Sequence, residues 1–103
     1  MTIYLAGPIS LNGTLKEIEI KENIKIFKTF TQILRNKNYT VLDPTEIKKQ
    51  KTWEDYMIIT IPMVCEANAL LMLPKWELSR GANLELFIAT SLNKKIYFNL
   101  ENF

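Results

Sequence analysis

The chain predicts one small, doubly wound α/β domain, with a parallel sheet of about four strands in the order 2-1-3-4. Three observations predict it. Short β-rich runs alternate with longer segments of helical periodicity, the pattern of parallel βαβ units joined by right-handed crossovers. The length of 103 residues leaves no room for a second domain, so 1–103 is read as one unit. A turn of small residues, Ser79 to Ala82, separates a strand-like apolar run from a helix-like one, the place where open α/β sheets bind ligands.

Each element follows from its residues. Ile3-Tyr4-Leu5-Ala6 is a β-rich run ended by Gly7-Pro8, hence a first strand and a turn. Residues 9 to 14 form a loop, with Ser10, Asn12, Gly13 and Thr14. From Leu15 to Lys37 an apolar stripe of Ile20, Ile24, Phe27 and Leu34, widened by Phe30 and Ile33, predicts a helix that ends at Asn36 to Asn38. Thr40-Val41-Leu42 is a second strand closed by Asp43-Pro44, and a polar loop runs on to Thr52. Thr52 is an N-cap with Asp55 three residues on, opening a helix over Trp53 to Glu66. Pro62 inside that helix predicts a kink, or a break into two short helices, near Ile59 to Ile61. Ala69 to Leu73 is the third strand, the 80s form the last long helix, and Lys95 to Phe98 is the fourth strand. In this flavodoxin- or Rossmann-like order the carboxyl ends of the first and third strands deliver Gly7 to Ser10 and Trp76 to Glu85 to one crevice.

Composition narrows the chemistry. A net charge of +2 gives no bulk electrostatic case for nucleic acid. No apolar run approaches the ~18 residues of a membrane span. The amino terminus reads as a strand and not as a signal peptide, and a lone Cys65 fits a reducing compartment, so the expected location is cytoplasmic. With one cysteine and no histidine, a zinc site or a Cys–His pair is excluded by count, and no metal or cofactor is expected. Acid–base or nucleophilic work falls to carboxylates, Tyr, Lys, Ser or Thr. Lys48, Lys49 and Lys51 share one loop, either a solvated one or a rim that attracts a phosphate-bearing ligand. So modest a core also predicts a homo-oligomer, most simply a dimer, with Trp53, Tyr56, Met57, Met63 and Val64 as the contact.

The motifs Ile3-Tyr4-Leu5-Ala6-Gly7-Pro8-Ile9-Ser10, Asn23 with Phe27 and Leu34, Tyr39 to Pro44, Trp53 to Met57, and Leu73 to Ala82 with Glu85 cover nearly the whole chain. In their order and spacing the chain resembles the nucleoside 2-deoxyribosyltransferase-like superfamily, and within it the short phage and bacterial members. The resemblance implies that Glu85 is a nucleophile toward the anomeric carbon of a nucleoside or nucleotide, and that Tyr4 supports it. A carboxylate suits an oxocarbenium-like transition state, which it stabilises or traps. Ala6, Gly7, Pro8, Ile9, Ser10, Trp76, Ser79, Gly81 and Ala82 would line the ligand site, with Ser79 and the backbone near Gly81 facing a 5′-phosphate and Trp76 stacking on a base.

The chain departs from the family at named places. Thr60 stands where the helix usually carries an Asp, and Asn68 where an Asp usually precedes the third strand. The segment between Ser10 and Asn23 is longer than usual, its Gly13, Leu15, Ile18 and Ile20 suiting a flap or a subunit contact, and Lys75 replaces a common Gly. Three readings follow. The chain binds a nucleotide-like small molecule with weak or lost catalysis, for instance as a phage protein sequestering an immune signal of the cyclic ADP-ribose kind. It is a working N-glycosidase or deoxyribosyltransferase, with Glu85 as nucleophile and Asp43, Asp55 or Glu66 as the acid. Or it is an interaction module with a vestigial crevice.

Overall fold

A computed structural model describes residues 1–10 and 16–103. The strands are β1 (Thr2–Ala6), β2 (Thr40–Leu42), β3 (Ala69–Met72) and β4 (Lys95–Tyr97). They form one parallel sheet in the order β2-β1-β3-β4. The helices are α1 (Glu17–Asn36), α2 (Trp53–Glu66) and α3 (Arg80–Ser91), and short 3₁₀ turns occupy Pro44–Glu46 and Trp76–Leu78. The predicted fold class and strand order are the observed ones.

Period-two alternation along the central strands sends side chains to two separate cores. Ile3, Leu5, Leu71 and Leu73 pack on one face with Phe27 and Leu34 of α1. Tyr4, Ala6, Leu70 and Met72 pack on the other with Val64 of α2 and Ala82 and Ala89 of α3. β1 and β3 are buried on both sides, so they read as continuous apolar runs.

The helix ends follow local chemistry. Thr52 Oγ1 accepts from Asp55 N at 3.1 Å and opens α2. Asn38 and Asn93, just past α1 and α3, adopt left-handed φ of 68° and 58°, a role that Asn fills where Gly is absent. Lys75 is also left-handed, with φ 67°, which accounts for the glycine expected there.

Several expectations are corrected. Pro62 does not divide α2, which runs unbroken from Trp53 to Glu66. The carbonyl that Pro62 leaves without its helical donor belongs to Ile58, which is 70% exposed, so water can take that acceptor. Met57 and Val64 are buried within their own chain, which removes them from the expected subunit contact. Met63 packs against the same core as Val64. Of the expected flap, Gly13 and Leu15 lie outside the described residues, Ile18 is exposed, and Ile20 belongs to the first turn of α1. Among the described residues no helix is long and apolar enough to cross a membrane.

Candidate functional site

The carboxyl ends of β1 and β3 open into a cavity of about 550 Å³, within the range of small-molecule sites. At its floor the Tyr4 hydroxyl, from the middle of β1, donates to Glu85 Oε2 at 2.5 Å. Glu85 is only 5% exposed and Tyr4 1%. Burial pushes the Glu85 carboxyl up from 4.5 to about 7, and hydrogen bonding from Tyr4 and Thr60 acts in the opposite sense. Burial also raises Tyr4 well above its usual value, reinforced by the charge of Glu85. The affinities of both groups for protons are thus displaced together within one buried pair.

Local sequence explains why Glu85 stands there. Ser79 is the N-cap of α3, its Oγ accepting from Ala82 N at 3.1 Å. Asn83 ties the preceding turn down, donating to Glu77 O at 3.0 Å and Ser79 O at 2.8 Å. Glu85 then falls on the buried stripe of α3 with Ala82 and Ala89. On the opposite lip Asn23 donates to Ile9 O at 3.0 Å and holds the loop that follows β1. At Gly7 a Cβ would meet Leu73 Cβ at 2.9 Å, a distance that side chains essentially never show. Gly7→Ala should therefore lower stability by about 1–3 kcal/mol in chemical denaturation; a change below ~0.5 kcal/mol would mean that this approach is not tight.

The cavity brings together Tyr4, Gly7, Ile9, Ser10, Ser79, Gly81, Ala82 and Glu85 from the expected set. It does not bring in Ala6, Pro8 or Trp76. Ala6 and Pro8 are buried. Trp76 packs against the α2–α3 core and tilts onto Phe98, with ring centroids 5.9 Å apart. Of the loop lysines, Lys51 reaches the cavity.

The other candidate acids do not serve the floor of the site. Asp43 is 2% exposed and fully engaged, accepting from Thr31 Oγ1 at 2.7 Å, Thr45 N at 2.8 Å and Thr45 Oγ1 at 2.7 Å. Asp55 and Glu66 do not line the cavity. Asn68 sits at the amino end of β3, where its Oδ1 accepts from Thr2 N at 2.7 Å, so its departure from the family pattern does not touch the crevice. Thr60 does: it is buried, lines the cavity and influences both Tyr4 and Glu85.

Other lining residues escaped the sequence reading as site residues. Pro44, Trp53, Glu54, Tyr56, Met57 and Arg80 all face the cavity. The Arg80 guanidinium lies 3.9 Å over the Trp53 ring, a cation–π contact at the mouth. The available signal was α2 periodicity: Glu54, Met57 and Thr60 recur every third residue, so one cavity residue points to the next. Among the described residues no cluster of acids and cysteine is arranged to hold a metal.

A family described as "Domain of unknown function (DUF4406)" matches residues 1–98. The fold is similar to that of a solved structure, a 2-desoxiribosyltransferase from Leishmania mexicana, with a TM-score of 0.67 and 21% sequence identity. The likeness covers 92% of this chain and 61% of that one, so the chain spans less than two thirds of its neighbour's length. No curated protein matches it in sequence.

Proposed function

Because the chain belongs to the DUF4406 family, which is defined without a function, we propose its function from the cavity: it binds a nucleotide or a nucleotide-derived small molecule, with weak or lost catalysis. The buried Tyr4–Glu85 pair carries this reading. A carboxyl group held out of water opposes folding unless something is gained from it, and here it faces an open cavity. The ligand's sugar hydroxyls meet Glu85, and its phosphate meets Ser79 and the backbone near Gly81 at the start of α3. Beside Glu85 the position suited to protonating a leaving base holds Thr60, whose hydroxyl is a poor general acid. Capture of a nucleotide-derived signal by a phage protein is one use such a pocket serves.

Hydrolysis or transfer at an N-glycosidic bond is the second reading. Glu85, raised to about 7, is partly ionised near neutral pH and is placed as the nucleophile that the retained Tyr4 supports. Self-association belongs to the same proposal: Ile58 and Phe87 remain 70% and 69% exposed and offer apolar surface to a second copy. A monomer mass by light scattering at micromolar concentration contradicts that part.

A paired substitution tests the site. Ser79→Phe should abolish nucleotide binding measured by calorimetry, because the ring fills the space beside Gly81 and Ala82. Ser79→Ala loses the cap, at about 1 kcal/mol of stability, and should keep most of the affinity. Full affinity in Ser79→Phe would place the ligand elsewhere.

A further inference from the structure

We infer that Glu54 reads the base of the ligand and selects guanine. This inference rests on the nucleotide-binding reading and extends it to the class of base. Glu54 and Glu85 are the two carboxylates that line the cavity. Glu85 is committed to Tyr4. Glu54 is exposed and, among the described residues, joins no ion pair, unlike Glu17 with Lys21 and Glu46 with Arg35. It is thus an acceptor aimed at the cavity with nothing of the protein to accept from.

Its position suits the base and not the sugar. Thr60 lines the cavity together with Tyr4 and Glu85, which places the sugar at its level on α2. Glu54 lines the same cavity six residues earlier on α2, about 9 Å nearer the start of the helix. A nucleoside whose anomeric carbon rests at Glu85 extends its base along that direction. Trp53 and Tyr56 flank Glu54 in the cavity wall and supply aromatic surface beside the base.

A carboxylate has only acceptors to offer. Guanine alone among the common bases presents two adjacent donors, N1–H and the 2-amino group, to a two-oxygen acceptor. Adenine sets its N1 acceptor against the carboxylate. Uracil and thymine flank one N–H with two carbonyls. Hypoxanthine keeps N1–H and lacks the amino group, so it isolates half of the contact.

Calorimetric titration of the full chain with GMP, IMP, AMP and ADP-ribose tests this. The unmodified protein should bind GMP roughly 10-fold tighter than IMP, and tighter still than AMP. Glu54→Gln should bring GMP and IMP to within about 2-fold of each other, since an amide accepts one of the two bonds and repels at the other. Asp55→Asn, which changes the same charge outside the cavity, should keep the preference. Equal affinity for GMP and IMP in the unmodified protein, or an unchanged ratio in Glu54→Gln, overturns the role of Glu54 and leaves nucleotide binding standing. No binding of any of the four overturns both.

Discussion

Glu85→Gln should stop any release of base while leaving nucleotide affinity within a few-fold. A carboxylate attacks an anomeric carbon and an amide of the same shape does not, yet the amide still accepts from Tyr4 and from a ribose hydroxyl. The same substitution changes stability, with a sign that depends on pH. In the unfolded chain Glu85 ionises near 4.5, and in the folded protein near 7. Below pH 4.5 both states hold the proton and the site costs nothing. As pH rises from 4.5 to about 7 the unfolded chain loses its proton first, so stability falls, by about 3 kcal/mol once both states are ionised. Glu85→Gln removes this loss. In urea titrations the variant should match the parent at pH 4 and exceed it at pH 8. Equal stability at both pH values would mean that Glu85 is well solvated.

Thr60→Asp is expected to give the largest gain in activity. Thr60 is 4% exposed and lines the cavity with both members of the Tyr4–Glu85 pair. A carboxyl there would share one proton with Glu85, since two charges so close in a buried site do not coexist, and could pass it to a departing base. General acid help is worth ~10²–10⁴-fold, so base release from a nucleoside monophosphate, followed by chromatography, should rise by about that factor. Unchanged release would show that proton donation at this level of α2 is not what limits the chain.

The fold was legible in the chain because its signals are local and agree with one another. Gly7-Pro8, Asp43-Pro44 and the Asn38 turn punctuate runs whose period changes from two to 3.6, and each strand lies within a residue or so of its expected place. The 3₁₀ turn at Trp76–Leu78 gave no such signal, and it rotates Trp76 away from the cavity and onto Phe98. Glu85 was legible because a strand end and a helix start must converge at a switch point, and Tyr4 was legible only through the family resemblance. Glu54, Tyr56 and Arg80 were not, because their place in the cavity depends on how α2 leans on α3. That lean is set by tertiary contacts such as Gly81 against Met57 Sδ and Trp53 Nε1, at 3.4 and 3.5 Å for an added Cβ. Pro62 does not break α2, and the carbonyl it frees belongs to the exposed Ile58, where water can take that acceptor.

The central claim is that the cavity over Glu85 holds a nucleotide-like molecule and releases it intact. The direct measurement is to incubate the protein with nucleosides, nucleoside monophosphates and ADP-ribose derivatives, then to run chromatography before and after heat denaturation. The account predicts a ligand depleted from solution before heating and recovered unchanged after it. Rapid appearance of free base would contradict the claim in favour of an N-glycosidase, and no depletion of any member of the panel would contradict nucleotide binding itself.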